Sequence, residues 1–322
     1  MNRYHLVHVT EFHYDGSVSE SYNEVRLRPV DDERQSCLSF RLTTSPGSRI
    51  TAHRDAFGNW VHLFNILREH RHLRVEAESV VLAHEPFPDG AASMSLSEFE
   101  RQEKDLRDQY FDFVAPTVYV PHLPELRGLV EAAEQGSGGS VAGFARAASD
   151  LIKERFRYVK GATQVHSSIA DSLATGAGVC QDFAQLVLGV ARMRGLPARY
   201  VSGYLVPRPA AEPEASLEEV VGGQASHAWT EVLVFGKGWM AFDPTLGAPV
   251  GLRHVRVAYG RDYGDVAPVG GVYKGQAGQR VSVNVRVRPA LDSEGHEQLQ
   301  RTAATSLRPP EDERPQQPEQ QQ

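Results

Sequence analysis

Along the first 85 residues apolar and polar positions alternate in short runs. YHLVHVTEFHY (4–14), SYNEVRLRP (21–29), SCLSFRLTT (36–44), WVHLFNIL (60–67) and HLRVEAESVVLA (72–83) are rich in β-branched and aromatic residues, the pattern of half-buried strands. Turn-forming DGS (15–17), SPGS (45–48) and FGN (57–59) separate them. Strands with no helical period between them predict an antiparallel sheet or sandwich. HEPFPDGAASMS (84–95) then breaks the alternation and marks a boundary.

Beyond it the period changes. Residues 121–135 and 140–156 read as helices around a flexible QGSGGS linker (135–140), and 179–194 carries the strongest helical signal. There Phe183, Leu186, Val187, Val190 and Met193 keep helical spacing, while Ala184, Leu188 and Ala191 widen the apolar face. Gly195 and Pro197 supply the stop. A helix this apolar is buried. ARYVSGYLV (198–206), HAWTEVLVF (227–235), WMAFD (239–243) and RVSVNVRVR (280–288) read as strands, and the Pro/Glu-rich 207–224 as a long exposed loop. Residues 291–322 are polar, Gln- and Glu-rich, and cannot bury a core. The predicted organisation is α+β: an N-terminal β domain (1–85), a connecting segment (86–120), a mixed unit with its central helix packed on an antiparallel sheet (121–290), and a disordered tail (291–322).

Composition narrows the function classes. With 322 residues, 41% hydrophobic and 23% charged, the chain can bury a sizeable core. Its net charge of −7 argues against a nucleic-acid partner. No apolar run approaches the roughly 18 residues of a membrane span, and MNRYHLVHVTEFHY has no signal core. The two cysteines, Cys37 and Cys180, fall in separate units, so neither a disulfide nor an oxidising compartment is implied and a cytoplasmic location is expected.

The candidate chemistry starts at GVCQDFAQL (178–186), where Cys180 opens the buried helix. A thiol reacts as thiolate, and a helix N-terminus or an adjacent imidazolium promotes that form. Of thirteen histidines, His227 begins a strand directly after the long loop, which leaves one flank open, and Asp243 ends the next strand. Positions 227, 229 and 231 share a strand face, with Ala228, Thr230, Val232 and Val234 on the other. A hairpin centred on Phe235 sets Asp243 opposite His227. The GKG at 236–238 instead suggests a turn centred on Lys237, setting Asp243 opposite Glu231.

GVCQDFAQL, SHAWTEV and GWMAFDPT together resemble the three catalytic blocks of the transglutaminase-like superfamily of papain-like cysteine enzymes. SYNEVRLRP resembles the N-terminal β region of its bacterial members, and GLPARYVSGYL and GRDYGDVAPVGGVYKG the flanking segments, so the likeness spans roughly residues 3–288. The resemblance implies Cys180 as nucleophile, His227 as general base and acid, and Asp243 as the orienting acid. It implies a covalent acyl-thioester on a peptide or protein substrate, with no metal or organic cofactor. The expected reaction is amide hydrolysis. Resolution by an amine (a protein-glutamine γ-glutamyltransferase) and a non-catalytic peptide-binding module are the alternatives.

One departure stands out: Ala174 lies where papain relatives place an oxyanion-hole Gln, and the upstream Trp of animal transglutaminases has no counterpart. The Cys180 N–H is the expected first donor, and Gln164 is the residue offered for the second. Gln181 and Asp182 support the first helical turn, and Trp229 shares the His227 face as a shield from water. His5, His8, His13, His70 and His72 are read as solvated strand residues without a metal role, and Cys37 as a packed thiol. Glu212, Glu214, Glu218 and Glu219 suggest an acidic lid beside His227 that favours cationic substrates.

Overall fold

A computed structural model describes residues 1–85, 93–207 and 226–290. Its first strands are β1 (Asn2–Val18), β2 (Glu20–Val25), β3 (Gln35–Ser45), β4 (Thr51–Arg54), β5 (Trp60–Ile66) and β6 (His70–Ala83). In β6 Leu73, Val75 and Ala77 turn inward between charged neighbours, and they meet Val25, Phe64 and Ile66 from β2 and β5. Two antiparallel sheets thus face each other across one apolar layer.

The helices are α1 (Leu96–Gln109), α2 (Phe111–Val114), α3 (Arg127–Gly136), α4 (Val141–Arg155), α5 (Ile169–Thr175) and α6 (Cys180–Met193), with one further short helix at Tyr263–Val266. The segment read as a connection therefore contains a helix of its own. Ser95 and Glu98 close a capping box at the start of α1, and Phe99 and Leu106 bury themselves in the helical core. Its remaining positions are mostly charged, which hid the narrow apolar stripe. QGSGGS is no loose linker either. Ser137 Oγ bonds Glu134 O at 2.6 Å and accepts from Gly139 N at 3.0 Å, and Ser140 caps α4. Gly138 and Gly139, at φ 58° and 78°, supply the left-handed steps this turn needs.

A pair of two-residue strands, β7 (Arg157–Tyr158) and β8 (Ala177–Gly178), runs parallel just before α6. Beside α6 lies a sheet of β9 (Ala198–Leu205), β10 (His227–Val234), β11 (Gly238–Phe242) and β12 (His254–Gly260), in the order β11-β10-β9-β12. All eight residues of β10 are buried. Ala228, Val232 and Val234 join the helical core, and Thr230 Oγ1 donates to Ala184 O at 2.8 Å. The other face is covered too. Trp229 packs on Val30, Val201 and Tyr259, while Glu231 sits between Arg199 (2.6 Å) and Arg256 (2.9 Å).

The chain then returns to its beginning. β13 (Val269–Lys274) pairs with β2, and β14 (Gln279–Pro289) pairs with β1 from Tyr4↔Pro289 to Tyr14↔Gln279. The sequence reading grouped these residues with 121–290; the structure gives them to the two N-terminal sheets. Alternation in RVSVNVRVR reveals a strand but not its partner, and the glycines of β13 weaken its own signal. Tyr4, Leu6 and Val81 of the first sheet pack on Tyr204, Val206, Val255 and Val257 of the second unit, forming a shared core.

The histidine expectation is corrected in part. His5, His8 and His70 are buried rather than solvated. His5 pairs with Glu78 at 2.8 Å, and His8 bridges Tyr204 Oη (2.8 Å) and Thr10 Oγ1 (3.0 Å). The acidic loop, apart from Pro207, and the tail 291–322 lie outside the described residues. No helix among the described residues is long and apolar enough to cross a membrane.

Candidate active site

Three backbone devices bring Cys180 to the surface of a cleft. Asp182 turns back to accept the Val179 N–H at 2.7 Å and the Thr163 hydroxyl at 2.5 Å, which closes the N-terminus of α6. That return passes over Gly178, where a Cβ would lie 2.6 Å from the Asp182 side chain. The glycine before the cysteine is therefore required by close approach. Finally, β7 fixes the strand entering the helix, through Tyr158↔Gly178 and the Val159 N–H to Gly178 O at 2.9 Å. Cys180 ends half-buried, and its own N–H has no acceptor among the described residues. Free first-turn N–H groups carry the positive end of the helix dipole.

His227 starts β10, is 2% exposed, and donates from Nε2 to Asp243 Oδ2 over 2.7 Å. The hairpin register matches neither sequence alternative. Thr230↔Phe242 and Val234↔Gly238 centre the turn on Gly236, so Asp243, one step past β11, falls diagonal to His227. Diagonal positions on one face are ~7–8 Å apart, within reach of these two side chains. The ring is buried against Trp229 and His254 and yet lines a cleft, while the loop expected to leave its flank open lies, apart from Pro207, outside the described residues.

Asp243 is 1% exposed and fully satisfied. Oδ1 accepts from the N–H groups of Thr245 (2.9 Å) and Leu246 (3.1 Å), and Oδ2 meets His227 and also His254 Nε2 at 3.1 Å. Burial pushes the carboxyl up, but His227 and these hydrogen bonds outweigh it and hold its pKa well below the usual carboxylate range. Burial pulls His227 down, and the Asp243 carboxylate more than reverses this, with a further contribution from Cys180. The net direction is upward, so the ring is an imidazolium at neutral pH. With Nε2 held by Asp243, the buried Nδ1 has no hydrogen-bond partner among the described residues, and Cys180 lines the same cleft as the ring.

The sequence missed His254, which opens β12. Its HVRVAYG run alternates, but only the placement of β12 beside β9 shows which way the ring faces. Gly251 N–H donates to His254 Nδ1 at 3.3 Å, so the proton of the neutral ring sits on Nε2, facing Asp243. Burial keeps this histidine neutral, lowering its pKa against the pull of Asp243.

The remaining candidates separate. Gln181 Nε2 is tied to Val165 O at 3.0 Å, and Asp182 is the helix cap described above. Trp229 is 0% exposed and lies beneath the histidines, its ring 5.9 Å from His227 and 5.2 Å from His254. It has this room because Gly203 carries no Cβ, which would come within 2.5 Å of the indole. Gln164 is exposed at the rim of a cleft of about 870 Å³ that also contains Cys180 and His227. Tyr158 and Tyr200 line the same cleft. Burial raises both phenols, and the charge of Cys180 is the next cause in each. Neither hydroxyl has a hydrogen-bond partner among the described residues.

Two clusters bring possible metal-ligand atoms within 4.8 Å of one another: His227, Asp243 and His254, and Glu11, His13 and His72. In the first the groups satisfy each other. In the second Glu11 is already held by Arg74 at 2.7 Å. The other cysteine, Cys37, is pushed up to about 12 by burial, which disfavours its thiolate.

Residues 4–82 match the bacterial transglutaminase-like N-terminal region, and residues 130–244 the transglutaminase-like superfamily. An uncharacterised protein of Mycobacterium leprae is 33% identical over 287 residues, covering 89% of this chain and 99% of its own. One from Mycobacterium tuberculosis is 30% identical over 314 residues, covering 89% and 93%. A solved structure from Cytophaga hutchinsonii, presented as a candidate cysteine protease, superposes with TM-score 0.67 at 21% identity over 89% of this chain and 90% of that one. Cys180, His227 and Asp243 all fall inside the matched 130–244 block, and His254 lies beyond it. The chain belongs to the transglutaminase-like superfamily and begins with the N-terminal region of its bacterial members.

Proposed function

We propose that the protein is a cysteine-dependent amide-bond hydrolase, a peptidase or amidase, with Cys180 as nucleophile, His227 as general acid and base, and Asp243 as the group that orients His227. The observation that carries this reading is that a half-buried thiol at a helix N-terminus lines one cleft with a buried imidazole, whose Nε2 is held by a fully hydrogen-bonded carboxylate. In this reading the thiolate attacks the amide carbon and the carbonyl becomes an oxyanion facing the Cys180 N–H. His227 passes its Nδ1 proton to the leaving amine as the C–N bond breaks. Neutral His227 then takes a proton from water, whose oxygen attacks the thioester and releases the acid and the thiolate.

A peptide or protein segment suits the cleft, whose walls carry Tyr119, Tyr158, Tyr200 and Tyr263. Such chemistry also needs a compartment that keeps the thiol reduced, and the cytoplasm meets that need.

Iodoacetamide labelling of Cys180 across pH tests the reading. Alkylation is expected already well below about pH 8. A thiol that reacts only with an ordinary inflection near its free value, or not at all, would overturn it. Incubation with a glutamine peptide and a labelled primary amine separates the two endings. Hydrolysis is expected to exceed amine incorporation, and the reverse would make the protein a transglutaminase.

A further inference from the structure

Asp243 serves two histidines through one oxygen. Oδ2 lies 2.7 Å from His227 Nε2 and 3.1 Å from His254 Nε2. The second contact is built rather than incidental. The turn before β12 is locked by the His254 N–H to Gly251 O at 2.9 Å, and the returning Gly251 N–H occupies Nδ1. Only one tautomer of the neutral ring satisfies both neighbours, and it points its proton at Asp243. The ring is 5% exposed and sits edge-on to Trp229, so it has no freedom to turn away.

We propose, on the cysteine-hydrolase reading above, that His254 is a positioning residue that aims Asp243 at His227 and shares the carboxylate oxygen on which His227 depends. Two donors on one oxygen divide its charge. A neutral donor at His254 therefore limits how tightly Asp243 holds the His227 proton, keeping the imidazolium able to release it to a leaving group. The charged and titratable groups acting on His254 are Asp243 after β11, His227 on β10, and Arg256 on its own strand. Arg256 is itself paired with Glu231, at 2.9 Å. Both cationic neighbours disfavour a second positive charge, so His254 stays a neutral donor where His227 is charged.

The test is the pH profile of Cys180 alkylation by iodoacetamide, which needs no knowledge of the natural substrate. The wild-type rate should show an upper inflection at high pH, where His227 loses its proton. In His254→Phe the upper inflection should rise by about half a pH unit or more, because Oδ2 then belongs to His227 alone. His254→Gln can place an amide N–H where Nε2–H was and should return the inflection to the wild-type position. A phenylalanine variant with an unmoved upper inflection and a reactive thiol would overturn the proposal, leaving His254 as packing. A wild-type protein with one ordinary thiol inflection would instead overturn the hydrolase reading. Should His254→Phe fail to fold, His254→Asn, whose shorter amide cannot span the gap to Oδ2, makes the same comparison.

Discussion

Asp243 meets His227 on the diagonal of the β10–β11 hairpin rather than straight across it. The three-residue turn at 235–237 closes on Val234↔Gly238, and both side chains reach back over one pleat to the 2.7 Å contact. Strand parity preserved the shared face although the register differed from both alternatives, because each one-residue move of the turn centre shifts the pairing by two.

Asp243→Asn should cost both stability and thiol reactivity. The signs differ for the two partners. His227 is raised above its ordinary 6.5, so its contribution to stability is full below that value and is lost as pH rises through the folded value. Asp243 is lowered below 3.8, so its contribution is present above that value and lost as pH falls further. The pair therefore stabilises most between these two ordinary values. Removing the charge should cost about 3–5 kcal/mol in that window. It should also slow Cys180 alkylation at mildly acid pH at least about tenfold. Urea titrations at several pH values and the alkylation rate measure both; an unchanged pH dependence of stability would contradict the coupling.

Gly178→Ala should disturb the thiol without touching it. An added Cβ would crowd Asp182 at 2.6 Å and drive the carboxylate from the Val179 N–H. A lost N-terminal cap costs about 1 kcal/mol, which for a chain of this size lowers Tm by about 2–4 °C. Thermal unfolding together with iodoacetamide labelling reads both consequences, and a variant with wild-type values in each would remove the cap from the account.

Much of this site was legible in the sequence because its parts are local. The apolar period of 180–193 made α6 buried, and its first residue was a cysteine behind a glycine. Strand parity placed His227 and Asp243 on one face. What stayed hidden depends on long-range partners. His254 belongs to a strand whose role is set by β9, and β13 and β14 reveal their sheets only when β1 and β2 lie beside them. The burial of His227 was equally invisible. Residues 227, 229 and 231 read as a mixed polar face, and only the docked N-terminal sandwich, together with Arg256 from β12, makes that face interior.

The second oxyanion donor can be decided by two substitutions. Gln164 is exposed at the cleft rim, whereas Tyr158 is half-buried beside α6, its ring edge-on to Phe183 at 6.1 Å and its hydroxyl without a described partner. Acylation of Cys180 by p-nitrophenyl acetate passes through an oxyanion and alkylation by iodoacetamide does not. Tyr158→Phe should slow acylation about tenfold or more while leaving alkylation within about twofold, and Gln164→Ala should alter neither. A selective loss in Gln164→Ala would return the role to the glutamine.

His8 should make the docking of the two units acid-sensitive. It reaches from β1 to Tyr204 Oη on β9 at 2.8 Å and holds Thr10 at 3.0 Å, with 2% of its surface exposed. Burial lowers its pKa to about 4 from 6.5. Above 6.5 the ring is neutral both folded and unfolded, and it makes stability independent of pH. Between 6.5 and about 4 the unfolded chain takes up a proton that the folded chain refuses, so stability falls as pH falls through this window. The full penalty is on the order of 3 kcal/mol. His8→Gln keeps an amide able to bond Tyr204 and does not titrate, so its urea midpoint should fall less steeply than the wild type's over the same range. Parallel slopes for the two proteins would show that the acid sensitivity arises elsewhere, with Glu231 next in line because its buried carboxylate must stay charged between Arg199 and Arg256.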